Sequence, residues 1–154
     1  MINRGKQFEE IISKHLSKYE DVLCQRLYDN MGGYSNITYP ADFIVFKSPK
    51  FIYLECKAVH KASIPLRNLT QINSMCNIIQ NKPNVYGKFI IWFVDKKCTF
   101  LVDYRYVKSA LDGGLKSLNY QSLRDNVGNY IQEIPATYPR VNGVYDLSIL
   151  FTEE

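Results

Sequence analysis

Residues 40–59 read "PADFIVFKSPKFIYLECKAV", two dense runs of β-branched and aromatic residues parted only by Ser-Pro-Lys. Such runs favour strands, and so short a break, with a proline in it, joins them as a hairpin. Three charged side chains interrupt the apolar pattern: Asp42, Glu55 and Lys57. Side chains alternate faces along a strand, so Phe51, Tyr53, Glu55 and Lys57 share one face while Ile52, Leu54, Cys56 and Ala58 share the other. Glu55 and Lys57 are then roughly 7 Å apart along the strand. Hairpin pairing sets Asp42, at the start of the first strand, opposite the end of the second and beside Glu55.

Two carboxylates held close at the end of apolar strands repel each other and resist desolvation unless a cation or a proton neutralises them. Oxygen ligands suit Mg2+ or Mn2+ rather than zinc, and such an ion polarises a phosphoryl oxygen and lowers the pKa of water. Lys57 would orient or deprotonate that water, or offset charge on the reacting phosphorus, so the implied reaction is phosphodiester hydrolysis. Spacing alone also fits a plainer arrangement, in which Asp42 caps a strand and Glu55 and Lys57 pair on a solvated sheet face.

The remaining pattern frames this hairpin. Phe8, Ile11, Ile12, Leu16 and Tyr19 recur at helical spacing and predict an amphipathic helix from Arg4 to about Glu20, with Glu9 bordering the buried stripe. "DVLCQRLYD" reads as a first strand, "NMGGYSNITYP" as a loop and "HKASIPLRN" as another. Leu69, Ile72, Met75, Cys76 and Ile79 predict a second helix, "KFIIWFV" and "CTFLVD" two more strands, and "YRYVKSALDGG" a helix stopped by glycines. A further short helix falls near 118–126, and "YIQEIPATYPRVNGVYDLSILF" reads as mostly extended with turns. The order predicts a mixed sheet flanked by helices, in the α/β or α+β class.

At 154 residues, one domain over 1–154 is expected, able to bury a core without metals or disulfides. No apolar run approaches a bilayer span and the charged opening "MINRGKQFEEII" lacks a signal-peptide core, so a cytoplasmic chain with no membrane role is expected. Cys24, Cys56, Cys76 and Cys98 form no CxxC pair and read as free buried thiols. The glycosylation sequons at Asn36 and Asn68 carry no weight without secretion. His15 and His60 have no partner at ligand spacing, so packing or exposure is expected for both. A net charge of +4 is compatible with a polyanionic partner.

Asp42 followed by Glu55-Cys56-Lys57, with proline two positions ahead, resembles the PD-(D/E)xK nuclease motif. "NRGKQFE" at 3–9 resembles the opening of the RecU family of Holliday junction resolvases, and "LECKA", "PLRNLTQI", "KFIIWF", "KSLNYQSL" and "YIQEIPATYPR" follow in that family's order. The resemblance implies a restriction-endonuclease-like α/β fold with a mixed central sheet. It also implies a metal-dependent endonuclease that acts as a homodimer on four-way DNA in recombination and repair, each protomer cutting one strand.

Residue by residue, it makes Asp42 and Glu55 ligands of Mg2+ (or Mn2+), with the Cys56 carbonyl a further candidate, and Lys57 the catalytic lysine. Glu9 completes the acidic site, Gln71 sits near the scissile phosphate, and Arg4 and Lys6 contact DNA or order the site. Lys61, Arg67 and Arg140 would add phosphate contacts. Solvated surface roles also fit Glu9, Gln71, Arg4 and Lys6 when each is taken singly.

Bacterial members carry a long stalk between the first two strands, whereas "YDNMGGYSNITYPAD" is short, as in a compact, phage-type member. Two other functions therefore stay open: a restriction-like or repair nuclease on linear or nicked DNA, and a non-catalytic module that binds junctions or a recombinase.

Overall fold

The computed structural model describes residues 2–28 and 39–152. Helix α1 (Arg4–Leu16) starts where the Asn3 side chain accepts the Lys6 N–H, satisfying one of the donors that a helix N-terminus leaves open. It buries Phe8, Ile12 and Leu16 and ends at Ser17, short of the expected Glu20. Tyr19 belongs to the turn that follows, where its ring packs edge-on against Phe151; its helical spacing was coincidental.

The chain continues through strands β1 (Leu23–Arg26), β2 (Phe43–Lys47), β3 (Lys50–Val59) and β4 (Ser63–Pro65), helix α2 (Ile72–Ile79), strands β5 (Val85–Phe93) and β6 (Cys98–Asp103), and helix α3 (Tyr104–Asp112). Strand β7 (Ser117–Asn119), helix α4 (Tyr120–Asp125), strands β8 (Ile131–Glu133), β9 (Ala136–Thr137) and β10 (Val144–Tyr145), and a 3-10 helix over Leu147–Phe151 complete it. Six strands form the central sheet in the order β1-β2-β3-β5-β6-β8. The β3–β5 pair is parallel and the other pairs antiparallel, so the sheet is mixed and flanked by helices, in the class expected.

Each sheet face carries its own core. On one, Phe8, Ile12 and Leu16 of α1 meet Phe43, Val45, Ile52, Leu54, Ile90 and Trp92, with the Phe8 and Trp92 rings 5.4 Å apart. On the other, Met75 and Ile79 of α2 and Val107 of α3 meet Phe89, Ile91, Phe93, Phe100 and Val102. Strand β5 is buried on both faces, which explains its unbroken apolar run. Burial of each large side chain contributes about 1.5–3 kcal/mol.

Gly87 lets α2 lie close to β5, since a Cβ there would come 2.7 Å from Ile79 Cδ1 and 3.1 Å from Met75 Sδ. Where β6 runs into α3, buried Asp103 pairs with Lys88 at 2.9 Å and accepts the Arg105 N–H at 2.8 Å, so one carboxylate both neutralises a buried cation and caps a helix.

Two segments differ from expectation. "HKASIPLRN" is not all loop, because Ser63–Pro65 pairs with Ser117–Asn119. The tail read as extended closes with the 3-10 helix, whose first turn Asp146 caps through the Ser148 N–H. The four cysteines are free, Cys56 and Cys98 buried and Cys24 and Cys76 partly so. Among the described residues, no helix is long and apolar enough to cross a membrane. The glycine pair, the Asn36 sequon and most of the shortened connection fall outside the described residues.

Candidate active site

The hairpin register opposes Phe43 to Leu54 and Lys47 to Lys50, so β2 covers only the first half of β3. From Glu55 onward, β3 continues beside β5 alone. Asp42 stands at this step. Its main-chain carbonyl accepts the Leu27 N–H at 2.7 Å, and its Oδ2 accepts the Cys56 N–H at 2.8 Å. The N–H and C=O of a strand residue project to the same side, so the Cys56 carbonyl also faces the side that β2 leaves open. The Cys56 thiol points the other way into the α1 core, where burial holds it well above the usual thiol range.

Glu55, 1% exposed, lies on the opposite face of β3 from Cys56. Lys57 Nζ is 3.1 Å from Glu55 Oε2, while Glu55 Oε1 is buried with no hydrogen-bond partner. Burial first, and the Asp42 carboxylate second, push the Glu55 carboxyl up to about 8 against the pull of Lys57. Glu9 reaches the same cluster from α1. Burial and then Asp42 push its carboxyl up to about 7, although Arg26 forms an ion pair with it.

Three carboxylates and two cations thus converge where three strands and α1 meet. Among the described residues, no group of three or more His, Cys, Asp or Glu side chains is placed to hold a metal ion by itself. The orphaned Glu55 oxygen, the carboxyls that burial first and the Asp42 charge second drive toward protonation, and the outward-facing Cys56 carbonyl are oxygen donors of the kind that suits a hard divalent cation keeping most of its water shell.

Glu9, Asp42, Glu55 and Lys57 are therefore brought together. Gln71 sits at the N-cap of α2, where its side-chain oxygen accepts from the Thr70 hydroxyl, and no described contact ties it to the carboxylates. Arg4 bonds to Gln7 at 2.8 Å and Lys6 is exposed, both ahead of Glu9 on α1. Lys61 and Arg67 are exposed beyond the end of β3, and Arg140 is exposed on the segment after β9. His60 pairs with Asp95 at 3.1 Å, and His15 Nδ1–H donates to the Ile11 carbonyl at 2.7 Å.

Arg26 is the member of this site that sequence reasoning missed, together with Tyr28, whose ring lies 5.2 Å from the guanidinium and is 70% exposed. The signal was available: alternation in β1 puts Arg26 on the face of Cys24, which packs into the α1 core.

A mixed six-stranded α/β sheet with an acidic cluster and one lysine at a strand step is the class that fold and site define. No protein-family model matches the chain, and no curated protein does. Among solved structures, the chain is similar to Hjc, a Holliday junction resolvase of the archaeal hyperthermophile Archaeoglobus fulgidus. The two are 13% identical over 66% of this chain and 78% of that one, with a TM-score of 0.48.

Proposed function

We propose that this protein is a divalent-metal-dependent DNA endonuclease that resolves four-way junctions, acting as a homodimer. The observation that carries the reading is the convergence of Glu9, Asp42, Glu55 and Lys57 where β3 outruns β2. Asp42, Glu55 and the Cys56 carbonyl would hold the ion. A bound Mg2+ or Mn2+ supplies Lewis acidity to a phosphodiester and lowers the pKa of water.

The chain's own groups do the rest. Lys57, tethered to Glu55 and partly exposed, sits where it can offset negative charge gathering on the phosphoryl oxygens. Glu9, held beside the cluster by Arg26, can accept the proton of the attacking water. In the hydrolysis, the water oxygen forms one P–O bond and an ester P–O bond breaks, its oxygen leaving as an alcohol. Arg4, Lys6, Lys61 and Arg67 are candidate phosphate contacts, and Gln71 would approach the scissile phosphate only with DNA in place.

Cleavage of a labelled four-way junction beside a linear duplex of matched length, with Mg2+ or with chelator, tests the reading in the parent and in Lys57→Ala. Paired nicks confined to the junction and requiring both metal and Lys57 are expected. Equal cutting of the two substrates would replace the junction assignment with a linear-duplex nuclease, and no cutting of either would leave a DNA-binding module.

A further inference from the structure

Strands β3 and β5 run parallel, with Lys57 opposite Ile91 and Val59 opposite Phe93, so their C-terminal ends leave the sheet side by side. The residues that follow meet, His60 Nδ1 lying 3.1 Å from Asp95 Oδ1. Lys61 comes next after one end, and Lys96 closes the 3-10 turn (Val94–Lys96) after the other; both are exposed. A third segment joins them. The Tyr120 N–H donates to the Ala62 carbonyl at 2.9 Å, and Lys96 Nζ lies 5.2 Å from the centre of the Tyr120 ring.

This end of the sheet shares a face with Glu55 and Lys57. Tyr120 packs with Tyr53 and Val59 against the core beneath α2 and α3, and alternation along β3 puts Tyr53, Glu55, Lys57 and Val59 on that one face. In the opposite direction the same face offers Leu23 and Gln25 of β1, Ile44 and Phe46 of β2, and Phe51 and Tyr53 of β3, none of them a cation. A polyanion held at Lys57 therefore finds further positive charge on this face in one direction only. The four residues from Lys57 to Lys61 span at most about 14 Å. Each strand of a DNA duplex carries one phosphate per about 3.4 Å of axis, so that reach covers about four nucleotides.

We propose that the DNA strand to be cut leaves the acid cluster past the C-terminal ends of β3 and β5, where Lys61 and Lys96 contact its phosphates. The inference rests on the nuclease reading above and deepens it by giving the bound strand a direction on the sheet. Lys96 joins the site through the parallel register, which places a turn 39 positions after Lys57 beside the end of its strand. Asp95, the acidic member of this group, is the partner of His60. Contacts of this kind supply affinity and register without reading sequence.

Binding of a labelled four-way junction in chelator, over a range of salt, tests the direction in the parent, in Lys96→Ala and in Lys61→Ala/Lys96→Ala. Lys82→Ala is the control: Lys82 precedes β5 as Lys96 follows it, so the same charge is removed at the other end of the strand. All three lysines are exposed, so the fold should survive. Lys96→Ala is expected to weaken binding at least about threefold, with a salt slope shallower by about 0.9, and the double variant at least about tenfold, with a slope shallower by about 1.8. Lys96→Arg should keep the slope of the parent, and Lys82→Ala should stay within about twofold of it.

A Lys96→Ala variant that binds like the parent overturns the proposal. So does an equal loss in Lys82→Ala, which would make the lysines act through net charge alone. If the parent cuts junctions in Mg2+ while Lys96→Ala binds them undiminished, only this inference fails. If the parent neither binds nor cuts DNA, the functional reading fails and takes this one with it.

Discussion

The main-chain N–H of Cys56 donates to Asp42 Oδ2 at 2.8 Å, so a carboxylate takes the place on β3 that a longer β2 would fill. This bond needs an acceptor but not a charge. Asp42→Asn should keep it and stay within about 1 kcal/mol of the parent, whereas Asp42→Ala leaves a buried N–H unpaired at a cost of about 1–3 kcal/mol. Both should lower Mg2+-dependent cleavage at least about a hundredfold, a loss of roughly 2.7 kcal/mol of transition-state stabilisation. Urea unfolding set beside cleavage rates separates the two effects; an active Asp42→Asn would remove Asp42 from the proposed chemistry.

The crowded carboxyls predict a pH dependence for the metal-free chain. Glu55 and Glu9 are raised from 4.5 to about 8 and about 7 by burial first and Asp42 second. A carboxyl whose folded pKa lies above its unfolded value contributes stability that is complete below the unfolded value and is lost as pH rises through the folded one. The melting temperature should therefore fall between about pH 5 and pH 9. Glu55→Gln should flatten that fall and melt higher than the parent at alkaline pH, by at least about 3 °C. Added Mg2+ should raise the parent's melting temperature at pH 8 and leave that of Glu55→Gln in place. A parent profile flat over this window would contradict the burial argument.

Asp103 predicts the opposite slope at the acid end. Burial alone would raise its carboxyl, but hydrogen bonds from Arg105 and the charge of Lys88 outweigh that and lower it. Its contribution is present above the unfolded value of 3.8 and is lost as pH falls through the lower folded value. Asp103→Ala removes a carboxylate that bonds both a buried lysine and the first turn of α3, and should destabilise by about 3–5 kcal/mol. Lys88→Met with Asp103→Leu removes both charges but still lacks the cap of α3, so it should recover only part of that loss in urea unfolding.

Close packing at Gly87 can be tested by compensation. Gly87→Ala would drive a methyl group against Ile79 Cδ1 and should cost about 1–3 kcal/mol. Ile79→Val deletes that terminal carbon, so the double variant should be more stable than Gly87→Ala alone. A strictly additive double-mutant cycle would show that the strain lies elsewhere.

What was legible in the sequence follows from locality. The β2–β3 hairpin carried its strand signal, its turn and its face alternation within 20 residues, and the proximity of Asp42 to Glu55 followed from that register. The apolar run of β5 marked a strand buried on both faces. By contrast, β4 and β7 are three residues each and pair across a long separation, Ser63 with Asn119, with no local pattern to announce it. "DLSILF" is apolar enough for a strand, yet Asp146 caps it into a helical turn. Arg26 looked like one more charge on a short strand until α1 was laid across β1 to meet it.

The half of β3 that outruns β2 has a further consequence. Among the described residues, no strand pairs with it on the β2 side, and an open strand edge invites the edge of another chain. Asp42 and Lys57 stand at that edge, and a second strand laid against it would have to strip water from their charges. Side chains proposed for chemistry would then also act as guards against β-mediated aggregation, so variants neutralised at these positions trade catalytic silence for a greater tendency to self-associate.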